Sequence, residues 1–226
     1  MTSSYGSTHV FCEAKYEVDF RVAEFYNTIT SSFYLASAVV GATLTKKHKS
    51  TERKVAVFAG WICVAAIGAG SAVFHAMLTF NAQLCDEIPM IAFVLILIAG
   101  KSNCIRDGLR PAAARTGVLL LSFALICCAA IYVSTRVYAV FLVTFTIGVV
   151  SEVTISCTIQ EAATPQSRRA LKRATLLIAL GGIVWAIESQ FCDAAPSVWM
   201  LHPVWHALSA VSAFYAVIHV SHLKEL

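Results

Sequence analysis

Five residues of this chain combine a reactive side chain with an unusual setting. His75 lies in GSAVFHAML, Asp86 in QLCDEIPMI, and His202 and His206 in HPVWHALSA; Ser71 stands four residues before His75. All five fall at the edges of long apolar runs, where a polar group is costly and therefore a candidate for function. On a helix, residues four apart share a face about 6 Å apart along the axis. His202 then pairs with His206, and Ser71 with His75. Three neutral imidazoles that leave a fourth position open form the donor set of a catalytic zinc ion. A nearby carboxylate can manage the proton of its water. Each residue also has a plain reading. A single His near a membrane interface is commonly a hydrogen-bonded structural group, and HxxxH on a helix arises readily by chance. Ser71 could be a small residue for close helix packing, and Asp86 could be a helix N-cap. Only a shared location would favour the metal, and that depends on the elements carrying them.

Composition identifies those elements. The chain has 226 residues, 58% hydrophobic and 13% charged, with mean hydropathy +0.72. A soluble domain carries about 25% charged residues. Crossing the roughly 30 Å hydrocarbon core takes about 20 mainly apolar helical residues. Seven stretches qualify or nearly do: 25–45, 55–78, 81–100, 116–135, 137–160, 174–192 and 198–221. The expected fold is all-α, a polytopic membrane protein forming one seven-transmembrane helix bundle over 1–226, with 1–24 a polar N-terminal segment. That segment has no basic start followed by an apolar core, so no cleaved signal peptide is expected. The basic residues set the orientation. Stretches 45–54, 101–115 and 161–173, with Lys224, hold all of the 17 Lys and Arg except Lys15, Arg21 and Arg136. Positive loops stay cytoplasmic, which puts the N-terminus in the lumen or exterior and the C-terminus in the cytosol. The net charge of +4 is this bias, and no nucleic-acid partner is expected.

Traced through that topology, the candidates converge. The apolar run 88–100 is too short to span, so Asp86 and Glu87 are drawn into the membrane end of the third helix. The second span exits, and the third and seventh enter, on the side poor in basic residues. His75, Asp86, His202 and His206 therefore share one layer near the lumenal face. Pro203 is tolerable there because it falls in the first helical turn, where a missing N–H costs nothing. Glu152 and Glu188 could hydrogen-bond within the bundle or line a cavity, and neither is assigned to catalysis. His219 and His222 are expected at the cytosolic interface, and His9 and His48 in solvent.

The chain resembles the alkaline ceramidase family of seven-span, zinc-dependent ceramide amidohydrolases. The resemblance rests on FCEAKYEVDFRVAEFYNTITS at 11–31, GSAVFHAML, QLCDEIPMI, HPVWHALSA, and the pair Phe191 and Cys192. It implies that His75, His202 and His206 hold zinc (Zn2+) with a water in the open position. Asp86 would accept the water's proton, and Ser71 would help hold the oxyanion formed at an amide carbonyl. The substrate would be a ceramide-type lipid, with a fatty acid and a sphingoid base as products. Such a protein belongs in an endoplasmic reticulum or Golgi membrane, among membrane lipids; no protein partner is expected. Water, with a pKa of about 15.7, is a poor nucleophile, and zinc lowers that value to roughly 7 while polarising the carbonyl.

Cys12 and Cys192 both fall on the lumenal side, where disulfides persist, and the resemblance implies that they are bonded. Cys63, Cys127, Cys128 and Cys157 lie within spans as small apolar residues, and Cys104 lies in a basic, reducing loop. Cys85 could pack or serve as a spare ligand. Members of the family also bind calcium (Ca2+) through the N-terminal segment. Phe11, Glu13 and Glu24 match that pattern, but Val10 stands where an acid is expected and Lys15 where an Asn would ligate. Calcium takes about six to eight oxygens, so the reading is a degraded site and activity without calcium. Lys15 would neutralise Glu13 and Glu24, although Glu17 and Asp19 could compensate. Two other functions fit a seven-span protein with histidines. One is a weakly catalytic zinc-binding receptor or scaffold related to adiponectin and progestin receptors, although Ser71 and Asp86 keep the groups hydrolysis needs. The other is a transporter, which would need polar groups through its full depth.

Overall fold

A computed structural model describes residues 6–45, 51–101, 104 and 111–224. The basic positions Lys46, Lys47, Lys49, Arg106 and Arg110, together with His48, lie outside them. All regular structure among the described residues is helical: α1 Phe25–Thr30, α2 Ser32–Leu44, α3 Thr51–Met77, α4 Phe80–Ala99, α5 Pro111–Thr135, α6 Tyr138–Thr158, α7 Pro165–Phe191 and α8 Leu201–Ser221. Six of these, α3 to α8, are long and apolar enough to cross a membrane.

The stretch expected as one first span is broken into α1 and α2 at Ser31. The cause is local. Thr28, Thr30 and Ser31 each turn a hydroxyl back onto the carbonyl four residues earlier, at 2.6, 2.7 and 2.8 Å, a bond that competes with the helix ladder and bends it. A second difference lies in α7, which begins at Pro165 rather than at 174. Hydropathy marks the buried length of a helix, not its start. Here Thr164 caps the helix by accepting the Ser167 N–H at 3.1 Å, Pro165 occupies the first turn, and a basic turn precedes the apolar run.

Two helix pairs organise the bundle, α3 with α4 through a tight turn and α7 with α8 through a longer connection, and α2 packs on α3 and α8. In the first, Leu78 takes a left-handed conformation (φ 50°) and Thr79 caps α4. Gly70 then brings the backbone of α3 against the Cys85–Asp86 peptide of α4; a Cβ at this position would overlap the Cys85 carbonyl. This contact brings the Ser71 turn of α3 against α4, and Ser71 and Asp86 line one cavity. The interior is filled by Tyr34, Trp61, Val64, Phe93, Leu97 and Val217. Large apolar side chains elsewhere face outward, including Phe58, Leu119, Phe123 and Ile183, as a lipid-facing surface requires. At the end of α3 away from His75, Arg53 donates to the Val220 carbonyl at 2.7 Å, and buried Lys101 pairs with Glu152.

Candidate metal centre and its cavity

His75 sits in the last turn of α3, and His202 and His206 in the first turns of α8. Their exposures are 1%, 2% and 2%. One nitrogen from each ring lies within 4.8 Å of the others, so the three could hold a metal ion. Their Nδ1 atoms are already engaged. His75 Nδ1 is 2.6 Å from Glu24 Oε2, His202 Nδ1 is 2.9 Å from Glu188 Oε2, and His206 Nδ1 is 2.9 Å from Thr30 Oγ1. That leaves three Nε2 atoms for an ion, each ring oriented from behind by an oxygen, the arrangement that fixes tautomer and direction in metal sites. Pro203 lies in the first turn of α8, and Cys85 is exposed and outside the three-histidine group.

The N-terminal segment positions both carboxylates. Lys15 Nζ donates to the carbonyls of Phe11 and Glu13, each at 2.7 Å, and to Glu24 Oε1. The N–H of Cys12 donates to Glu188 Oε1 at 3.1 Å. A disulfide joins Cys12 to Cys192, the C-cap of α7, with Cα atoms 5.4 Å apart. Glu13 accepts the N–H groups of Tyr26 and Asn27 at 2.7 and 2.8 Å. These are free donors of the first turn of α1, so Glu13 anchors the segment to the helix start. Burial raises the Glu13 carboxyl. Burial would also raise Glu24, but the hydrogen bond and charge of His75, followed by those of Lys15, outweigh it and bring it to about 2. Phe11 covers the centre, its ring centroid 3.9 Å from that of His202. His9, expected in solvent, is instead stacked on Tyr138 at 4.4 Å, and burial lowers its imidazole to about 4. His219, expected at the interface, is fully buried, with Nδ1 2.7 Å from Ser167 Oγ.

A cavity of about 610 Å³ opens beside the histidines. Ser71, Asp86, His202 and His206 line its polar end, with Phe11 and Glu87. Ser71 Oγ is 3.0 Å from Ser31 Oγ and 3.5 Å from His206 Nε2. Glu87 accepts from Gln83 at 2.9 Å and from Tyr132. The remaining wall is mainly apolar, from α4, α6, α7 and α8. A smaller cavity adjoins it, sharing Tyr34 and Val149 in its wall and reaching Glu152 and Ala216. From His202 to Ala216 the lining follows α8 for about 20 Å, at 1.5 Å per residue. The cavity suits a molecule with a polar reacting group at the histidines and a long hydrocarbon tail along the helices.

Of the candidates drawn from the sequence, His75, His202 and His206 form the cluster, and Ser71 and Asp86 line the cavity beside it. Phe11, Glu13 and Glu24 lie in the N-terminal segment, Cys12 is bonded to Cys192 at the end of α7, and Cys85 stands outside the cluster. The sequence alone does not assign the partners behind the rings: it reads Glu24 into a calcium site, Glu188 only as an acid that could hydrogen-bond within the bundle, and Thr30 not at all. Glu188 sits in the last turn before the loop to α8, a register that could have placed it in the histidine layer.

These features define a membrane-type helical bundle with a buried three-histidine cluster that could hold a metal ion, beside a mainly apolar cavity. The ceramidase family profile matches residues 3–226, and the chain belongs to that family. It is similar to alkaline ceramidase YPC1 of Saccharomyces cerevisiae, 26% identical over 97% of this chain and 77% of that protein. It is also similar to alkaline ceramidase 3 of Mus musculus, 24% identical over 97% of this chain and 85% of that protein. The alkaline ceramidase of Drosophila melanogaster is 22% identical over 94% of this chain and 76% of its own length. The family is one of enzymes, which disfavours the receptor or scaffold reading.

Proposed function

We propose that the protein hydrolyses the amide bond of ceramide or a related N-acyl sphingoid base, with His75, His202 and His206 holding zinc. The observation carrying this reading is the convergence of three buried imidazoles, each with Nδ1 bonded from behind, on a cavity that also takes in Asp86 and Ser71. Three nitrogen donors from neutral rings suit zinc's preference and leave a position open. When bound, zinc would make water acidic near neutral pH and polarise the carbonyl. Asp86 takes the proton of the attacking water and returns it to the nitrogen as the carbon–nitrogen bond breaks, so the sphingoid amine leaves neutral and the acid remains. Ser71 Oγ donates to the carbonyl oxygen as it gains charge. Phe11 and the strap bearing Lys15 cover the centre and limit access of bulk water. The apolar walls receive the hydrocarbon.

In the membrane, α1 and α2 together make the first of seven crossings of a single domain over 1–226. The N-terminal segment and metal centre lie at the lumenal face of an endoplasmic reticulum or Golgi membrane, and the C-terminus in the cytosol. The basic loops on the other side support this orientation.

The test is purification in detergent, with measurement of bound zinc and of fatty-acid release from labelled ceramides. His206→Ala is expected to lose metal and turnover, and Asp86→Asn to keep metal and lose turnover. Zinc without turnover of any N-acyl sphingoid base would refute the proposal.

A further inference from the structure

The N-terminal segment cannot supply the six to eight oxygens that calcium takes. Glu13 spends both carboxylate oxygens on the Tyr26 and Asn27 N–H groups. Glu24 spends Oε2 on His75 and on Asn27 Nδ2, the latter at 3.0 Å. Val10 has no side-chain oxygen. Asp19 is taken up by Arg21 and Glu17 is exposed, while the carbonyls of Phe11 and Glu13 and Glu24 Oε1 all receive Lys15 Nζ. An ammonium has three donors, and here it meets three acceptors. The Lys15 side chain is 14% exposed and that of Glu24 is fully buried. Asn27 Oδ1 lacks a partner, but one neutral oxygen cannot recruit a divalent ion against the adjacent ammonium.

We infer that the Lys15 ammonium is the resident cation of this segment: it gathers the Phe11 and Glu13 carbonyls around Glu24, holds Glu24 on His75, and positions the histidine centre with no divalent ion at that place. The cation is part of the chain, so its local concentration is fixed and cannot be diluted or chelated. A free ion must be bound anew at each encounter, and the centre would then depend on its supply. Lys15 is a positioning residue, acting on the centre only through Glu24. The claim rests on the metal role proposed for His75, but not on the identity of the substrate.

The experiment uses full-length protein in detergent and follows three readouts: zinc affinity by competition with a chromophoric chelator, thermal unfolding, and ceramide turnover. Each is measured after calcium depletion and again in millimolar calcium, with zinc content matched. In the wild type, all three are expected to be the same in both conditions. Lys15→Met keeps the stem and removes the charge; it is expected to lose about 10–100-fold in zinc affinity or turnover, as for partners behind a ligating His, with calcium giving no repair. The double variant V10D/K15N restores an acid and removes the ammonium. It is expected to need calcium, recovering zinc affinity and gaining thermal stability when calcium is added; this arm decides the matter if Lys15→Met fails to fold. A wild type whose stability or zinc affinity rises with calcium would overturn the inference, as would Lys15→Met with wild-type zinc affinity and turnover, or a double variant indifferent to calcium. A wild type that binds zinc but cleaves no ceramide would sink the substrate assignment instead, leaving zinc affinity and unfolding to judge Lys15.

Discussion

Glu188 and His202, on consecutive membrane helices, are bonded through Oε2 and Nδ1 at 2.9 Å, and the other Glu188 oxygen accepts the N–H of Cys12. One carboxylate thus connects a histidine of the three-residue cluster to the N-terminal strap. Glu188→Gln keeps the shape but weakens the acceptor. It should lower zinc affinity or turnover by about 10–100-fold, and Glu188→Ala by at least as much. Zinc competition titrations alongside turnover measure this, and wild-type values for both variants would show that the bond is not used.

Gly70 sets the distance between α3 and α4. Gly70→Ala puts a methyl group into the Cys85 carbonyl and forces apart the helices that set Ser71 and Asp86 in one cavity wall. Overpacking of this kind costs about 1–3 kcal/mol, and a misplacement of about 1 Å can cost roughly 100-fold in rate. Turnover should therefore fall much further than the unfolding temperature. Gly117→Ala, on α5 with open space around it, should leave turnover unchanged.

Val149 lines both the main cavity and the smaller one that adjoins it. Val149→Phe should block the deep end while leaving the histidines untouched. Turnover of long-acyl ceramides is then expected to drop more than that of short-acyl ones, with bound zinc unchanged. An equal drop across chain lengths would mean that the tail does not lie there.

Acid should loosen the strap through His9. Its imidazole is lowered by burial from 6.5 to about 4, with Glu188 and Glu24 opposing that shift and His75 and Lys15 adding to it. The unfolded chain takes up this proton below about 6.5, whereas the folded protein resists until about 4. His9 therefore favours the folded state fully above 6.5, and stability falls as the pH drops through that window, by on the order of 3 kcal/mol at its acid end. His9→Phe keeps the stack on Tyr138 and should flatten the pH dependence of thermal unfolding between those values.

The helices were legible because hydropathy and length alone decide what can cross hydrocarbon, and the histidine cluster because long helices that alternate in direction bring the ends of distant runs together. Side-chain hydroxyls hid the break at Ser31, since they compete with the helix without changing its hydropathy. The start of α7 was hidden because helix persists beyond the apolar run. His75, His202 and His206 could be grouped from helical spacing, but their partners could not. Glu24 was legible only as part of a degraded calcium site, and Glu188 only as a buried acid. Both acquire their place from an N-terminal strap that folds over residues far along the chain. The burial of His9 against Tyr138 and of His219 against Ser167 likewise depends on contacts between distant elements.

X-ray absorption at the zinc edge of the purified protein tests the central claim most directly. The account predicts one zinc per chain with three imidazole nitrogens and one oxygen at about 2.0–2.2 Å, and one nitrogen fewer or no bound metal in His206→Ala. A sulfur neighbour, or a zinc signal that His206→Ala leaves unchanged, would contradict it.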